Sequence, residues 1–176
     1  MPSYGFGPIA DASARVLILG SLPGRLSLEM RQYYAQPRNA FWPIMGRLLR
    51  FEPVMPYDRR IAELKKACVA LWDVCASADR TGSLDTAIVN SSVRPNDFDA
   101  FLTKYSGITT VYFNGGKAAA LYAKLVMPRL SAVHHQLKYV ALPSTSPAHA
   151  AMSMAEKLRR WSVVNRACAA QRPETD

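Results

Sequence analysis

Residues 15–42 read RVLILGSLPGRLSLEMRQYYAQPRNAFW, and the rest of the chain is interpreted outward from them. Val16, Leu17, Ile18 and Leu19 form an uninterrupted apolar run. With no polar residue alternating in it, such a run fits a strand buried on both faces of a parallel sheet. Gly20-Ser21-Leu22-Pro23-Gly24 then stops it, because glycine loosens the backbone and proline removes a ladder donor. Beyond the break come Tyr33, Tyr34, Pro37, Arg38, Asn39 and the pair Phe41-Trp42. Ligands of open α/β sheets bind past the carboxyl ends of the strands, so a site is expected in this polar and aromatic segment.

The period changes after Asn39. Phe41, Ile44, Met45, Leu48 and Leu49 recur at helical spacing, which predicts a helix over about 40–50 with Asn39 near its N-cap. Pro53 and Pro56 mark a loop, and Asp58 is placed to cap a second helix ending near Ala67. VALWDV at 69–74 reads as a second buried strand, followed by a polar loop over 76–90. Pro95 suits the first turn of a helix reaching about Tyr105. TTVYF at 109–113 is a third strand, stopped by Asn114-Gly115-Gly116 before an alanine-rich helix from about Lys117. KYVAL at 138–142 is a fourth, ended by PSTSP at 143–147, with a helix over about 148–170 behind it.

Residues 1–14 read as an arm over the sheet and 171–176 as a frayed tail. Four rounds of strand, loop and helix predict an α/β fold. The form expected is a three-layer α/β/α domain over 1–176 with a central four-stranded parallel sheet. The unusual polar clusters, at 21–39, 73–83, 114–116 and 144–149, all follow strands and so converge on one sheet edge.

Composition narrows the partners. The 176 residues carry 22 lysines and arginines against 13 aspartates and glutamates, a net charge of +9. That surplus points to an anionic partner, nucleic acid ahead of an acidic membrane, with a merely soluble basic protein as the plain alternative. Three cysteines, none in a CxxC pair, argue against a disulfide framework, zinc or iron–sulfur, and for reduced thiols in the cytoplasm. His134 and His135 are adjacent, which is not the spacing of a metal pair. GSLPG lacks both the Lys-Ser/Thr ending of a P-loop and the GxGxxG pattern, so no nucleotide cofactor is expected, nor a metal. No apolar stretch of about 18 residues predicts a membrane span, and no signal peptide is expected.

Several residues carry two readings. Tyr33 and Tyr34 serve either as core aromatics or as cleft walls, and Phe41 and Trp42 read as packing. Asp73 is either a general base or a cap on the turn that follows its strand. His149 is either a phosphate or leaving-group contact or a plain surface residue. Asn114-Gly115 also reads as a tight turn.

GSLPG after an apolar strand, YYAQPRNAFW, and STSPAHA after the last strand together resemble the uracil-DNA glycosylase superfamily. The resemblance is strongest to its hypoxanthine-DNA glycosylase group, which carries a similar GSxPG…QYYA-x-P-x-N-x-FW block. Mismatch-specific uracil-DNA glycosylases are also similar, with GINPG and FAHPANRFW in corresponding places. Those enzymes place a catalytic asparagine where this chain has Leu22, and an apolar side chain cannot hold a hydrolytic water. The resemblance therefore implies Asn39 in that role, with Asn114 also implicated in activity. It implies that Tyr34 stacks on a flipped base.

What the resemblance implies is a monofunctional enzyme of base excision repair acting on hypoxanthine and, second, uracil in DNA. Such an enzyme extrudes the damaged nucleotide and hydrolyses its N-glycosidic bond. An amide at Asn39 orients water toward the sugar carbon, where positioning matters more than deprotonation. Backbone N–H groups of Gly20, Ser21 and Leu22, with the Asn114 amide, are candidates to bind the base as charge develops. Ser144, Ser146, Pro147, Ala148 and His149 are the expected DNA contacts. Ser21, Ser146 and the start of the last helix are expected at phosphates, with charge added by Lys157, Arg159 and Arg160. No lysine matches a Schiff-base nucleophile, so strand cleavage is not expected. A monomer working on nucleoid DNA in the cytoplasm is the corresponding expectation. Two alternatives stand beside it: a catalytically silent DNA-binding module, suggested by Leu22, and a hydrolase of free nucleosides or nucleotides.

Overall fold

The computed structural model describes residues 2–169; Ala170 and the expected tail at 171–176 lie outside the described residues. The strands are β1 (Pro2–Tyr4), β2 (Val16–Gly20), β3 (Val69–Asp73), β4 (Cys75–Asp79), β5 (Arg94–Pro95), β6 (Thr110–Asn114) and β7 (Lys138–Leu142). The helices are α1 (Arg25–Met30), α2 (Phe41–Leu49), α3 (Tyr57–Lys66), α4 (Phe98–Lys104), α5 (Gly116–Leu125) and α6 (Met154–Ala169).

Strands β3-β2-β6-β7 form the expected parallel sheet in that order. Every residue of β2, β3 and β6 is buried, including Asp73, Thr110 and Asn114 at their ends. Alternate residues feed opposite layers. Leu17 and Leu19 of β2 meet Phe98 and Phe101 of α4 and Leu121 and Tyr122 of α5. Val16 and Ile18 meet Phe41, Ile44 and Met45 of α2, Leu64 of α3 and Trp161 of α6. The chain leaves β2 toward β3 and then crosses to β6 on the other side. The carboxyl ends of β2 and β6 therefore flank the topological switch point, where such sheets hold ligands.

Four local expectations are corrected. Residues 76–79 of the expected loop belong to a strand, β4, which with β1 and β5 makes a second, antiparallel sheet. The arm is thus paired: Ser3 faces Ala78, and Ile9 exchanges two 2.8 Å backbone hydrogen bonds with Leu71 along the free edge of β3. Pro95 lies in β5, and α4 begins at Phe98, where the Asp97 carboxylate accepts from the Ala100 N–H. Asp58 sits inside the first turn of α3 and caps nothing; Pro56 holds the cap position. The last helix starts at Met154, not near Ala148, because Ser153 caps it by accepting from the Glu156 N–H at 3.2 Å.

Candidate active site

A cleft of about 700 Å³ opens over the carboxyl ends of the parallel strands, within the range of small-ligand sites. Its first wall is the turn after β2. Arg80 donates to the Leu22 carbonyl at 3.2 Å and to that of Pro23, fixing the backbone from outside. Ser21 Oγ donates to Asp85 Oδ1 at 2.5 Å. Val74 and Cys75 N–H groups bond the carbonyls of Gly20 and Ser21 at 2.9 and 3.0 Å. The Leu22 side chain is 5% exposed and packs with the core beneath, while the residue still contributes to the cleft wall.

The second wall is the segment that reverses between α1 and α2. Short α1 was not foreseen, and it ends at Arg31 with a left-handed φ of 53°. Tyr34 is also left-handed, with φ 54°, a conformation that a bulky side chain adopts only when its surroundings enforce it. Ser27 Oγ accepts from the Ala35 N–H at 3.1 Å and helps hold that reversal. The two tyrosines part company here. Tyr33 enters the core, donating to the Gly7 carbonyl at 3.2 Å and accepting the Trp42 indole N–H on its own carbonyl. Tyr34 lines the cleft, its ring stacked 4.0 Å from the fully buried Phe41 at 24°.

Asn39 stands at the entrance of α2. Its Oδ1 accepts from the Phe41 N–H at 2.9 Å, which fixes which end of the amide is oxygen. One lone pair of that oxygen is thereby used and one remains, and the Nδ2 end bonds no described protein group. Ala40, next in the chain, donates its N–H to the Thr145 carbonyl at 2.9 Å.

Thr145 joins the remaining walls. Asn114 Nδ2 donates to Thr145 Oγ1 at 2.8 Å, and Asn114 Oδ1 accepts from the Thr145 N–H at 2.9 Å. Gly115, with φ 96°, lets β7's loop come close: a Cβ there would sit 3.1 Å from that of Ser144. In the loop itself Ser144 Oγ accepts from the Ser146 N–H and Ser146 Oγ from the Ala148 N–H, at 3.1 and 3.2 Å. Each hydroxyl keeps its own proton to donate. His149 is exposed, and its carbonyl accepts from Lys157 Nζ at 2.8 Å.

The expected phosphate cations of α6 do not stand free. Lys157 is 6% exposed and tied to that carbonyl, with burial pulling its ammonium down from the ordinary value. Arg159 and Arg160 both pair with Glu156. Glu156 in the first turn also sets a like charge where an anion would approach the helix start. Free cations at the rim come instead from Arg38, whose guanidinium has no described partner. Lys117 also lines the cleft, tied by Nζ to Asn90 Oδ1 at 2.7 Å.

Two carboxyls lie under the cleft floor. Asp73 is 3% exposed, and burial together with the nearby Asp85 charge pushes it up to about 8, with Arg80 opposing. Asp85 is raised by burial, with the Ser21 hydrogen bond opposing. Gly20 is obligatory between Asp73 and the tyrosine: an added Cβ would collide with Asp73 Oδ1 and lie 3.0 Å from Tyr34 Oη.

All eleven residues named for catalysis, base binding and DNA binding from the sequence line this one cleft. Sequence reasoning missed Thr145, hidden between the two serines of STS, and the bracing pair Arg80 and Asp85. Among the described residues no group of three histidines, cysteines, aspartates or glutamates could hold a metal, and no helix is long and apolar enough to cross a membrane.

A model of the uracil DNA glycosylase superfamily matches residues 6–167. The chain belongs to that superfamily. Among superfamily relatives, it is 32% identical over 167 residues to the hypoxanthine DNA glycosylase of Methanosarcina acetivorans, covering 94% of this chain and 99% of that one. It is 35% identical over 119 residues to the hypoxanthine DNA glycosylase of Methanosarcina barkeri, covering 67% and 74%. The solution NMR structure of a candidate uracil DNA glycosylase from Methanosarcina acetivorans superposes with a TM-score of 0.79 at 30% identity, over 96% of this chain and 99% of that one. This superfamily member thus carries its cleft at the switch point of a sheet shared with a solved relative.

Proposed function

We propose that the chain is a monofunctional DNA glycosylase that hydrolyses the N-glycosidic bond of deaminated bases in DNA, hypoxanthine first and uracil second. The observation that carries this reading is the convergence of Asn39, Tyr34, Asn114 and the two flanking loops on one cleft, in a chain related along most of its length to hypoxanthine DNA glycosylases.

The damaged base leaves the stack at a cost of a few kcal/mol, least for mispaired lesions. Stacking on Tyr34 returns about 1–3 kcal/mol and discriminates little between bases. The free lone pair of Asn39 Oδ1 accepts from a water and aims its oxygen at the sugar carbon, which bears positive charge as the bond breaks. The backbone N–H groups of Ser21 and Leu22 donate to no described protein group and are available to the departing base. Ser144, Ser146 and His149, with Arg38 at the rim, meet the DNA backbone. No lysine matches a Schiff-base nucleophile, and Lys117 and Lys157 are both held by hydrogen bonds, so the strand stays whole. The enzyme works as a monomer on nucleoid DNA.

The test is a duplex carrying one inosine or one uracil, incubated with the protein and then treated with alkali. Alkali-dependent cleavage at inosine, faster than at uracil, with no borohydride-trapped adduct, is expected. Cleavage without alkali, no cleavage at either lesion, or hydrolysis of free deoxyinosine alone would overturn the reading.

A further inference from the structure

Asp73 has no part in the scheme above, yet it ends β3 at the cleft floor and its Oδ2 lacks a hydrogen-bond partner among the described residues. The Tyr34 hydroxyl, which has the Asn114 amide as a neighbour, crowds the same Gly20. An unpaired buried polar atom costs about 1–3 kcal/mol. One such atom beside a phenol at the floor of a cleft marks a place where a polar edge from outside is received. Capping the turn after β3 does not account for the carboxyl. The turn donors Val74 and Cys75 bond the carbonyls of Gly20 and Ser21. Asn96 Nδ2 bonds the Asp73 main-chain carbonyl, at 2.8 Å, and leaves the side chain alone.

Resting on the glycosylase reading, we propose that Asp73 is a catalytic residue that acts as an un-ionised acid, donating a hydrogen bond to the flipped base while its bond to the sugar breaks. The pairing edge of a deaminated base presents a carbonyl acceptor beside an N–H donor. A neutral carboxyl offers the converse pair, and a carboxylate lacks the donor. During hydrolysis the water oxygen bonds to the sugar carbon and the glycosidic electron pair departs with the base. The water's surplus proton finally neutralises that base. Asp73 keeps its own proton, and its hydrogen bond strengthens as charge reaches the base carbonyl.

The surroundings keep the acid neutral. Burial first and the Asp85 charge second raise it to about 8, with Arg80 opposing. The phenols of Tyr33, Tyr34 and Tyr57 and the Cys75 thiol also face it, each raised by burial and so uncharged at neutral pH. Lys117 bears on the pair through Asp85.

The experiment compares single-turnover release from an inosine duplex, between pH 6 and 10, for the wild type, Asp73→Asn and Asp73→Ala. An amide keeps a neutral donor and acceptor in place of the acid, so Asp73→Asn should lose less than tenfold at pH 7, and Asp73→Ala about a hundredfold or more. Ionisation of the lesion is common to all three proteins, so the diagnostic is displacement of the alkaline limb. The ratio of Asp73→Asn to wild-type rate should rise about tenfold from pH 7 to 9. Thermal unfolding supplies a readout free of activity. A carboxyl raised in the folded state gives stability that is whole below about pH 4 and lost as pH rises through about 8. The wild type should therefore lose ground to Asp73→Asn across that window. Equal inactivity of both variants, an undisplaced limb, or a flat stability difference would overturn the role of Asp73. A wild type inactive on every lesion would instead overturn the glycosylase reading and this proposal with it.

Discussion

Over residues 20–39 the cleft wall is braced from elsewhere in the chain. Arg80 grips its carbonyls, Asp85 takes the Ser21 hydroxyl, and Tyr57 Oη accepts from the Tyr33 N–H at 3.0 Å. Over residues 144–149 the opposite holds: Ser144 and Ser146 bond backbone groups two residues on, and the distant ties are those of Thr145 and Lys157. The first wall is assembled from tertiary contacts and includes a strained tyrosine and buried carboxyls, the features that positioned chemistry needs. The second is a locally closed loop that presents hydroxyls and an imidazole outward, the features that follow a phosphate chain. Damage to the first wall should therefore be read in rate, and damage to the second in binding.

The sharpest way to break that division is at Asn39. Asn39→Ala should lower single-turnover release by about 10²–10⁴-fold and leave duplex affinity within about threefold. The same change removes the helix-entrance hydrogen bond, which costs about 1 kcal/mol. Asn39→Ser restores a capping oxygen but is too short to hold the water. It should recover thermal stability and not rate. If serine recovered both, Asn39 would be a cap and nothing more.

Thr145 belongs to both walls and so tests whether they are separable. Thr145→Val keeps the shape and both backbone bonds but takes the acceptor from Asn114 Nδ2. About a tenfold loss of rate is expected, with affinity unchanged and with Thr145→Ser restoring activity. Loss of affinity without loss of rate would place Thr145 with the DNA loop alone.

How much of this was legible beforehand differs between the same two walls. The parallel sheet was readable because β2 and residues 69–72 of β3 are continuous apolar runs and β6 is rich in β-branched and aromatic residues, signals that announce burial without help from their neighbours. The cleft residues were readable as positions, since each follows a strand. Their environments were not. The sequence CASAD of β4 has no regular alternation, and pairing with Pro2–Tyr4 and Arg94–Pro95 makes it a strand. Helix α1 spans six residues, too few to show a period. Asp73 reads from its neighbours as a turn cap or a general base, and only Gly20, Tyr34 and Asp85, from elsewhere in the chain, make it a buried acid. Lys157 reads as a surface cation on a basic helix until His149 is found folded over it.

Lys157 gives the smallest expected effect and the clearest separation of local support from DNA contact. Its ammonium is buried and bonded to the His149 carbonyl, so it cannot also reach a phosphate. Lys157→Met fills the same space without the tether. The loop should then move more freely, and affinity for an inosine duplex should fall about threefold at one salt concentration, with release at saturation unchanged. The salt dependence decides between the two roles. Each phosphate contact contributes about 0.9 to the slope of log affinity against log salt. A lost tether shifts that line without tilting it, whereas a lost phosphate contact makes it shallower by about that amount. Titrations of the wild type and Lys157→Met between 50 and 200 mM salt, about the range over which such slopes are resolved, should give parallel lines. A shallower line for the variant would mean that the ammonium leaves the His149 carbonyl for the DNA, and the second wall would then owe its grip to charge and not to loop geometry.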